Sequence, residues 1–306
     1  MNLFFGAIGQ AGDAAGRDAA DRIRTLYGET VRPLECASED AAIGLLSDGG
    51  AVIGQAMAGG RGLALLGVLQ RPLPDWTGES PIDDPDRTAA WLLSRFGRMG
   101  DRFLDGIGGQ FAIVCVDAPA GRLLLATDPG GHRSVFYHHA EGRLSFGTTL
   151  AALAGTVPDI GIDRSLEDFL LGYEFLPWNR TMFRNAFRVP KGSLLSFRDG
   201  NIAIAPIAAP RSPDPDLSSF DEDEVVSKLH GSFLQAIERQ VPTDGPIAVL
   251  LGGFDSALIA AALVGMGREV TTYTFRFEDE SFNQRHTDTL QRFLGHEHRW
   301  VDIDAA

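Results

Sequence analysis

Hydrophobic and polar positions follow two different rhythms along this chain, and the change falls near residue 206. Upstream, short apolar runs are punctuated by turn residues. Phe111-Ala112-Ile113-Val114-Cys115-Val116 stops at Asp117, turns through Ala118-Pro119-Ala120-Gly121 and returns as Arg122-Leu123-Leu124-Leu125-Ala126-Thr127-Asp128, which predicts a hairpin. A second hairpin is predicted for 135–139 and 143–147 through Glu141-Gly142, and a third for 189–197 and 201–204 through Asp199-Gly200. Leu3-Phe4-Phe5-Gly6-Ala7-Ile8 reads as a first strand, and helical spacing marks segments at about 13–27, 86–99, 148–154 and 164–171. No repeat of solenoid length occurs.

Downstream, Val225, Leu229, Phe233, Leu234 and Ile237 recur at spacings of three and four. They predict an amphipathic helix behind Asp221-Glu222-Asp223-Glu224, whose charges suit a helix N-terminus. Then follow an apolar strand (247–251), a helix (255–266), a strand (269–277), a helix (283–294) and a strand (298–303). That βαβαβ order implies a parallel sheet with right-handed crossovers. Between the two halves, the run from Pro206 to Ser219 holds Pro206, Pro210, Pro213 and Pro215 among Asp and Ser, and neither helix nor central strand continues through it. The predicted domains are therefore 1–205 and 223–306, joined by a linker over 206–222.

Composition adds exclusions. A hydrophobic content of 44% with 22% charged residues in 306 residues fits a globular chain of two domains. No stretch nears the roughly 18 apolar residues that span a bilayer, and the N-terminus lacks the basic region of a signal peptide. A cytoplasmic protein with no membrane partner is expected. The net charge of −14 argues against a nucleic-acid surface. Of the two cysteines, Cys36 and Cys115, the second sits inside an apolar run and reads as a packing residue. His296 and His298 lie near Asp302 and Asp304, but Gly295-His296-Glu297-His298-Arg299 reads better as a turn entering a strand than as a metal site. Asp83-Asp84 and Asp214/Asp216 sit in Pro-rich segments and read as solvated turns. Tyr173-Glu174-Phe175-Leu176-Pro177-Trp178 reads as the edge of a core, with a peptide-facing surface as the alternative.

The chemistry concentrates in Ile247-Ala248-Val249-Leu250-Leu251-Gly252-Gly253-Phe254-Asp255-Ser256-Ala257-Leu258. A buried parallel strand, a two-glycine turn and a helix N-terminus form an anion site, because bare backbone can approach the ligand and free N–H groups face its charge. Asp255 could hold magnesium, and Ser256 could cap the helix and donate to a phosphate oxygen.

This segment resembles the Ser-Gly-Gly-x-Asp-Ser pyrophosphate loop of the N-type ATP pyrophosphatases, the asparagine synthetase-like family. The resemblance extends upstream. Phe103-Leu104-Asp105-Gly106-Ile107-Gly108-Gly109-Gln110-Phe111-Ala112, Asp117, Leu123 to Asp128, Gly131 to Tyr137 and Leu144 to Leu153 follow the family's amidotransferase motifs. Downstream, Thr272-Tyr273-Thr274-Phe275-Arg276-Phe277, Phe282-Asn283 and Phe293-Leu294-Gly295-His296-Glu297-His298 follow its synthetase motifs. The implied fold is an α+β N-terminal-nucleophile-like αββα domain, then an α/β parallel-sheet ATP-pyrophosphatase domain of the adenine nucleotide α-hydrolase type. That second domain usually runs well beyond this point, so the chain reads as truncated, as one half of a split enzyme, or as a degenerate relative.

Three departures carry function. Asn2 stands where the family's glutaminase needs a cysteine whose own α-amine is its base. Leu66-Gly67-Val68 stands where the family binds glutamine with Asn-Gly-Glu, and Leu251 replaces the loop's first serine. No substrate-clamping Arg or Asp stands out either, so the first domain is expected to be inactive, as in β-lactam synthetases and lasso-peptide cyclases. The implied reaction is adenylation of a carboxylate by ATP and Mg²⁺, then amide formation by an amine. The resemblance assigns Gly252, Gly253 and Ser256 to pyrophosphate and Asp255 to magnesium. It places Val249, Leu250, Thr274 and Phe275 near adenosine, with Leu251 in the loop. A small molecule or precursor peptide is the implied substrate, and a separate polypeptide supplying the rest of the synthetase domain the implied partner. Macrolactam formation on a peptide is the leading expectation. Asparagine synthesis from ammonia or with a partner, and a non-catalytic scaffold, are the alternatives.

Overall fold

The computed structural model describes residues 2–8, 22, 31–33, 41–46, 53–70, 72–76, 84–157, 159–177, 179–208, 221–242, 244–277 and 282–303. The predicted helix at 13–27 (all but Arg22), most of the linker, Cys36, Asp83, Trp178, Asp214, Asp216 and Asp304 lie outside these residues. The chain divides into two compact units, Met1–Pro213 and Asp214–Ala306.

The first unit is built on the predicted hairpins. Strands β6 (Gly109–Asp117) and β7 (Arg122–Thr127) pair antiparallel through a 3₁₀ turn at Ala118–Ala120. Strands β8 (Phe136–Ala140) and β9 (Arg143–Gly147) are joined by Glu141-Gly142, and β11 (Ser193–Arg198) and β12 (Asn201–Pro206) by Asp199-Gly200. Both residues of each turn have positive φ, the mirror-image turn that matches the twist of a hairpin and favours glycine. Three strands are additions to the sequence reading: β3 (Ala41–Leu46), β4 (Ile53–Ala58) and β5 (Arg61–Leu69), besides the short β2 (Val31–Pro33) and β10 (Ala186–Arg188).

With β1 (Leu3–Ile8), these strands form two six-stranded sheets, ordered β10-β8-β9-β1-β3-β2 and β12-β11-β7-β6-β5-β4. Every pairing within them is antiparallel. Their facing sides share one core, in which Phe4, Ile8 and Phe146 of the first sheet meet Leu66, Val114 and Leu125 of the second. Alternate residues of the second sheet, among them Phe111, Ile113 and Cys115, point the other way, onto Leu92 and Phe96 of α1 (Pro85–Met99). Helix α2 (Leu150–Thr156) packs on β1 and β9 of the first sheet. Helix, sheet, sheet and helix therefore lie in layers, the αββα order that the resemblance implied. Asp84 caps α1 by accepting the Arg87 N–H at 3.0 Å, with Pro85 opening the helix.

The aromatic run reads differently in three dimensions. Helix α3 (Glu167–Tyr173) and the residues after it expose Leu171, Tyr173 and Phe175. Tyr173 stacks on Phe169 with ring centroids 4.6 Å apart, and the rings pack chiefly on one another. The run is a surface cluster and not the edge of a core.

In the second unit, β13 (Ile247–Leu250), β14 (Val270–Phe277) and β15 (Glu297–Ile303) form a parallel sheet in that order. Helix α5 (Phe254–Gly265) crosses from β13 to β14, and α6 (Phe282–Leu294) from β14 to β15. The sheet core gathers Val249, Leu251, Ala260, Leu263 and Val270, with Ile237 of α4 (Glu222–Gln240). Two expectations are corrected here. The apolar stripe of α4 is not uniformly core, since Ile237 is buried while Val225 and Leu229 are exposed. Strand β13 is buried on one side only, with Ala248 and Leu250 turned outward. Periodicity marks a side as apolar without saying what covers it.

Candidate functional site

Strand β13 ends at Leu250, and the two-glycine turn leads directly into α5. Leu251 continues the pleat: its N–H donates to the Tyr273 carbonyl at 2.7 Å, and its carbonyl accepts from Thr274 Oγ1 at 3.3 Å. Its side chain, 7% exposed, lies in the core of the second unit. Because successive strand residues point to opposite sides, the residues assigned to adenosine are split. Val249 and Thr274 face the helix-covered core, whereas Leu250 (56% exposed) and Phe275 (44%) lie on the open face. Only the second pair has side chains available to a ligand.

The N-cap position is Gly253, and Ser256 caps the helix from three residues on, reaching back as the serine of a capping box. Gly252 N–H and Gly253 N–H donate to its Oγ at 3.0 and 3.2 Å, and its hydroxyl donates to the Gly253 carbonyl at 3.0 Å. The amides expected to be free are therefore gathered on one hydroxyl oxygen, where a phosphate oxygen would have to take its place. Asp255 is exposed in the first turn of α5, and Phe254 beside it is 87% exposed.

The glycines themselves are informative. Neither Gly252 nor Gly253 has positive φ, and a Cβ added to either would meet nothing within 4 Å. The fold of the chain would accept side chains at both positions. Gly67 is the opposite case, with φ +116° and an added Cβ only 1.9 Å from the Gln110 carbonyl oxygen. That glycine serves the β5–β6 pairing.

The other predicted position of chemistry, around Asn2, is apolar. Leu66 is buried in the core between the sheets, and Val68 follows it on β5. Asn2 Oδ1 is buried with no hydrogen-bond partner among the described residues. A side-chain amide at this position supplies no nucleophile.

His296 and His298 do not join Asp302, which pairs with Arg276 at 2.6 Å. Both rings turn to Thr272 of β14 instead, a contact that the sequence reading missed. No group of three or more potential metal ligands occurs among the described residues, and no described helix is long and apolar enough to cross a membrane.

Comparison with known proteins places these features. Residues 88–207 match the glutamine amidotransferase domain family, and residues 228–306 match the asparagine synthase family. Carboxyethyl-arginine β-lactam-synthase of Streptomyces clavuligerus is 26% identical over 229 residues, covering 74% of this chain and 41% of that protein. Asparagine synthetase [glutamine-hydrolyzing] 1 of Bacillus subtilis is 22% identical over 196 residues, covering 63% and 30%. Amidase chyE of Penicillium rubens is 27% identical over 191 residues, covering 59% and 27%. The chain spans about a third of the length of the first of the curated relatives it matches. Among solved structures, glutamine phosphoribosylpyrophosphate amidotransferase from B. subtilis aligns with a TM-score of 0.41 and 10% identity, over 98% of this chain and 81% of that one, too distant to carry an inference.

Proposed function

The chain belongs to the asparagine synthetase-like family, and from that premise we propose that its second unit is the nucleotide-binding part of an ATP-dependent, amide-forming synthetase that uses no glutamine. The observation that carries the proposal is the pair Gly252-Gly253. Nothing in the chain requires bare backbone there, so the requirement falls on a ligand that comes close to it. The two amides converge on one point at a helix N-terminus, which suits a phosphate oxygen.

Each residue then has a task. Gly252 and Gly253 N–H groups bind pyrophosphate oxygens, displacing Ser256 Oγ, whose hydroxyl turns to donate to the same anion. Asp255, exposed and beside the loop, would hold magnesium, which supplies neutralisation of phosphate charge when bound. A lone carboxylate suits this ion, which keeps several waters and shares substrate phosphates. Leu250 and Phe275, on the open face, offer apolar contact to the adenosine. The amide forms when an amine attacks the activated carboxylate. The amine comes from the substrate itself, because Asn2 and Leu66 leave no means of releasing ammonia from glutamine. Cyclisation of a peptide substrate is the reading we favour, with asparagine formation from free ammonia behind it. A separate polypeptide completing the synthetase domain belongs to the proposal. Parallel sheets are ordinarily covered on both sides, and this one leaves Leu250, Phe275 and Ile303 exposed.

One observation favours a second reading, a non-catalytic binding scaffold: Leu251 spends its side chain on the core, and the loop's amides are satisfied from within. Calorimetric titration of the chain with ATP and Mg²⁺ separates the two. Saturable binding that Asp255→Ala weakens at least tenfold supports the synthetase. No binding to a folded chain, with or without magnesium, overturns nucleotide use by this polypeptide.

A further inference from the structure

Thr272, the third residue of β14, is fully buried. Its Oγ1 lies 2.8 Å from His296 Nε2 and 2.7 Å from His298 Nδ1, so one hydroxyl joins the strand to two rings at the α6–β15 turn. The far nitrogens of both rings, His296 Nδ1 and His298 Nε2, are buried without a hydrogen-bond partner among the described residues. Trp300 closes one side, packing edge-on against His298 with ring centroids 4.9 Å apart.

Proton counting limits what this arrangement accepts. A threonine hydroxyl has one proton to donate and accepts from others. With both rings neutral, one ring donates to Oγ1 and the other accepts from it, so both contacts are hydrogen bonds. Taking one proton from solvent leaves the chain intact, because the ring that already donates becomes the imidazolium. A second proton makes both rings donors. The threonine proton then loses its acceptor, apart from the Glu297 carbonyl at 3.5 Å, and two cations share one buried oxygen.

We propose that Thr272, His296 and His298 form a single-proton latch that holds the α6–β15 turn against β14 and opens when a second proton enters. The surrounding charges agree. Burial lowers the affinity of His296 for a proton, and burial followed by the charge of His296 lowers that of His298. Asp288 of α6 acts in the opposite direction on His298 but is the smallest of the three influences. Glu297, between the rings in sequence, is engaged by Arg299 at 2.8 Å and Thr271 at 3.5 Å. Arg276 of β14 is paired with Asp302. Helix α5, on the same side of the sheet, contributes Ala260 and Leu263 to the core. Among the described residues of these elements, no second carboxylate compensates a second proton. The latch stands whether or not the adjoining loop binds a nucleotide.

The test is an imidazole ¹⁵N NMR titration of the full chain, paired with hydrogen exchange of β14 and β15. Two histidine steps separated by more than about one pH unit, with exchange protection lost across the lower step, are the expected result. Thr272→Ser keeps the hydroxyl and should keep both steps, while Thr272→Val should remove their coupling. If Thr272→Val does not fold, wild type and Thr272→Ser decide. Rings titrating together near about pH 6.5, or protection unchanged across the lower step, would overturn the latch.

Discussion

Replacing Leu251 by serine restores the residue of the family's loop, and the structure predicts that the change is harmful. The side chain is 7% exposed and is one of six buried members of the second unit's core. Truncating a buried leucine costs about 3–5 kcal/mol in transfer and cavity terms. The new hydroxyl adds about 1–3 kcal/mol if it finds no partner on that side. A total of at least about 3 kcal/mol corresponds to a midpoint drop of about 12 °C or more in a unit of this size. Among the described residues the cluster around Leu251 is drawn from the second unit, and the first unit should melt unchanged. Trp300 is the second unit's sole tryptophan among the four in the chain, so ¹⁹F NMR of 5-fluorotryptophan-labelled protein follows that unit by itself during heating. The pleat also aims residue 251 at the core and away from the Gly252 and Gly253 amides, so Leu251→Ser should not tighten ATP binding at low temperature. A Trp300 midpoint within about 4 °C of wild type, or a gain in ATP affinity, would show that the side chain faces the loop and would refute this reasoning.

Asn2→Cys should release no glutamate from glutamine in a coupled dehydrogenase assay, because Leu66 and Val68 provide no groups to hold the substrate; measurable turnover would reverse that. Asp128 supplies a pH dependence. Burial by itself would raise its pKa, but the Arg133 N–H, the His132 ring and the His132 N–H together outweigh burial and hold it below the ordinary value. A carboxyl lowered in the folded state stabilises fully above its unfolded value of about 4 and loses that contribution as pH falls through the folded value. Thermal midpoints of the first unit should therefore decline in acid for wild type and change less for Asp128→Asn, and equal slopes would count against it.

The parts of the fold legible in the sequence were those with local chemistry. Asp84, read from the sequence as part of a solvated turn, is in fact a helix start, because its carboxylate takes an orphan N–H and the following Pro85 needs none. Glu141-Gly142 and Asp199-Gly200 mark two-residue turns because both positions need positive φ. Strands β3 to β5 were missed although Gly59-Gly60 carries a similar turn signal, since Leu63 to Leu69 is apolar on both sides and has no alternation to read. The exposed rings of Tyr173 and Phe175 and the outward Val225 and Leu229 show the converse limit. Their spacing is that of a packed face, and spacing cannot identify what the face meets.

The same distinction governs the sites. Gly252, Gly253, Asp255 and Ser256 stand together at a helix start, the arrangement that the proposed anion loop requires. Which of Val249, Leu250, Thr274 and Phe275 have exposed side chains depends on pleat parity, which the fold displays and the sequence does not. On the proposed reading, restoring glutamine chemistry to the first unit takes more than one nucleophile. Leu66 contributes to the core between the sheets beside Phe4 and Val114, so its side chain is itself holding the fold together. Burying apolar surface there stabilises by about 25 cal/mol per Å². Returning a polar side chain would forfeit that and leave a buried polar group to satisfy. Reversal would need substitutions at positions 2, 66 and 68 together, with the intermediate changes at the core destabilising.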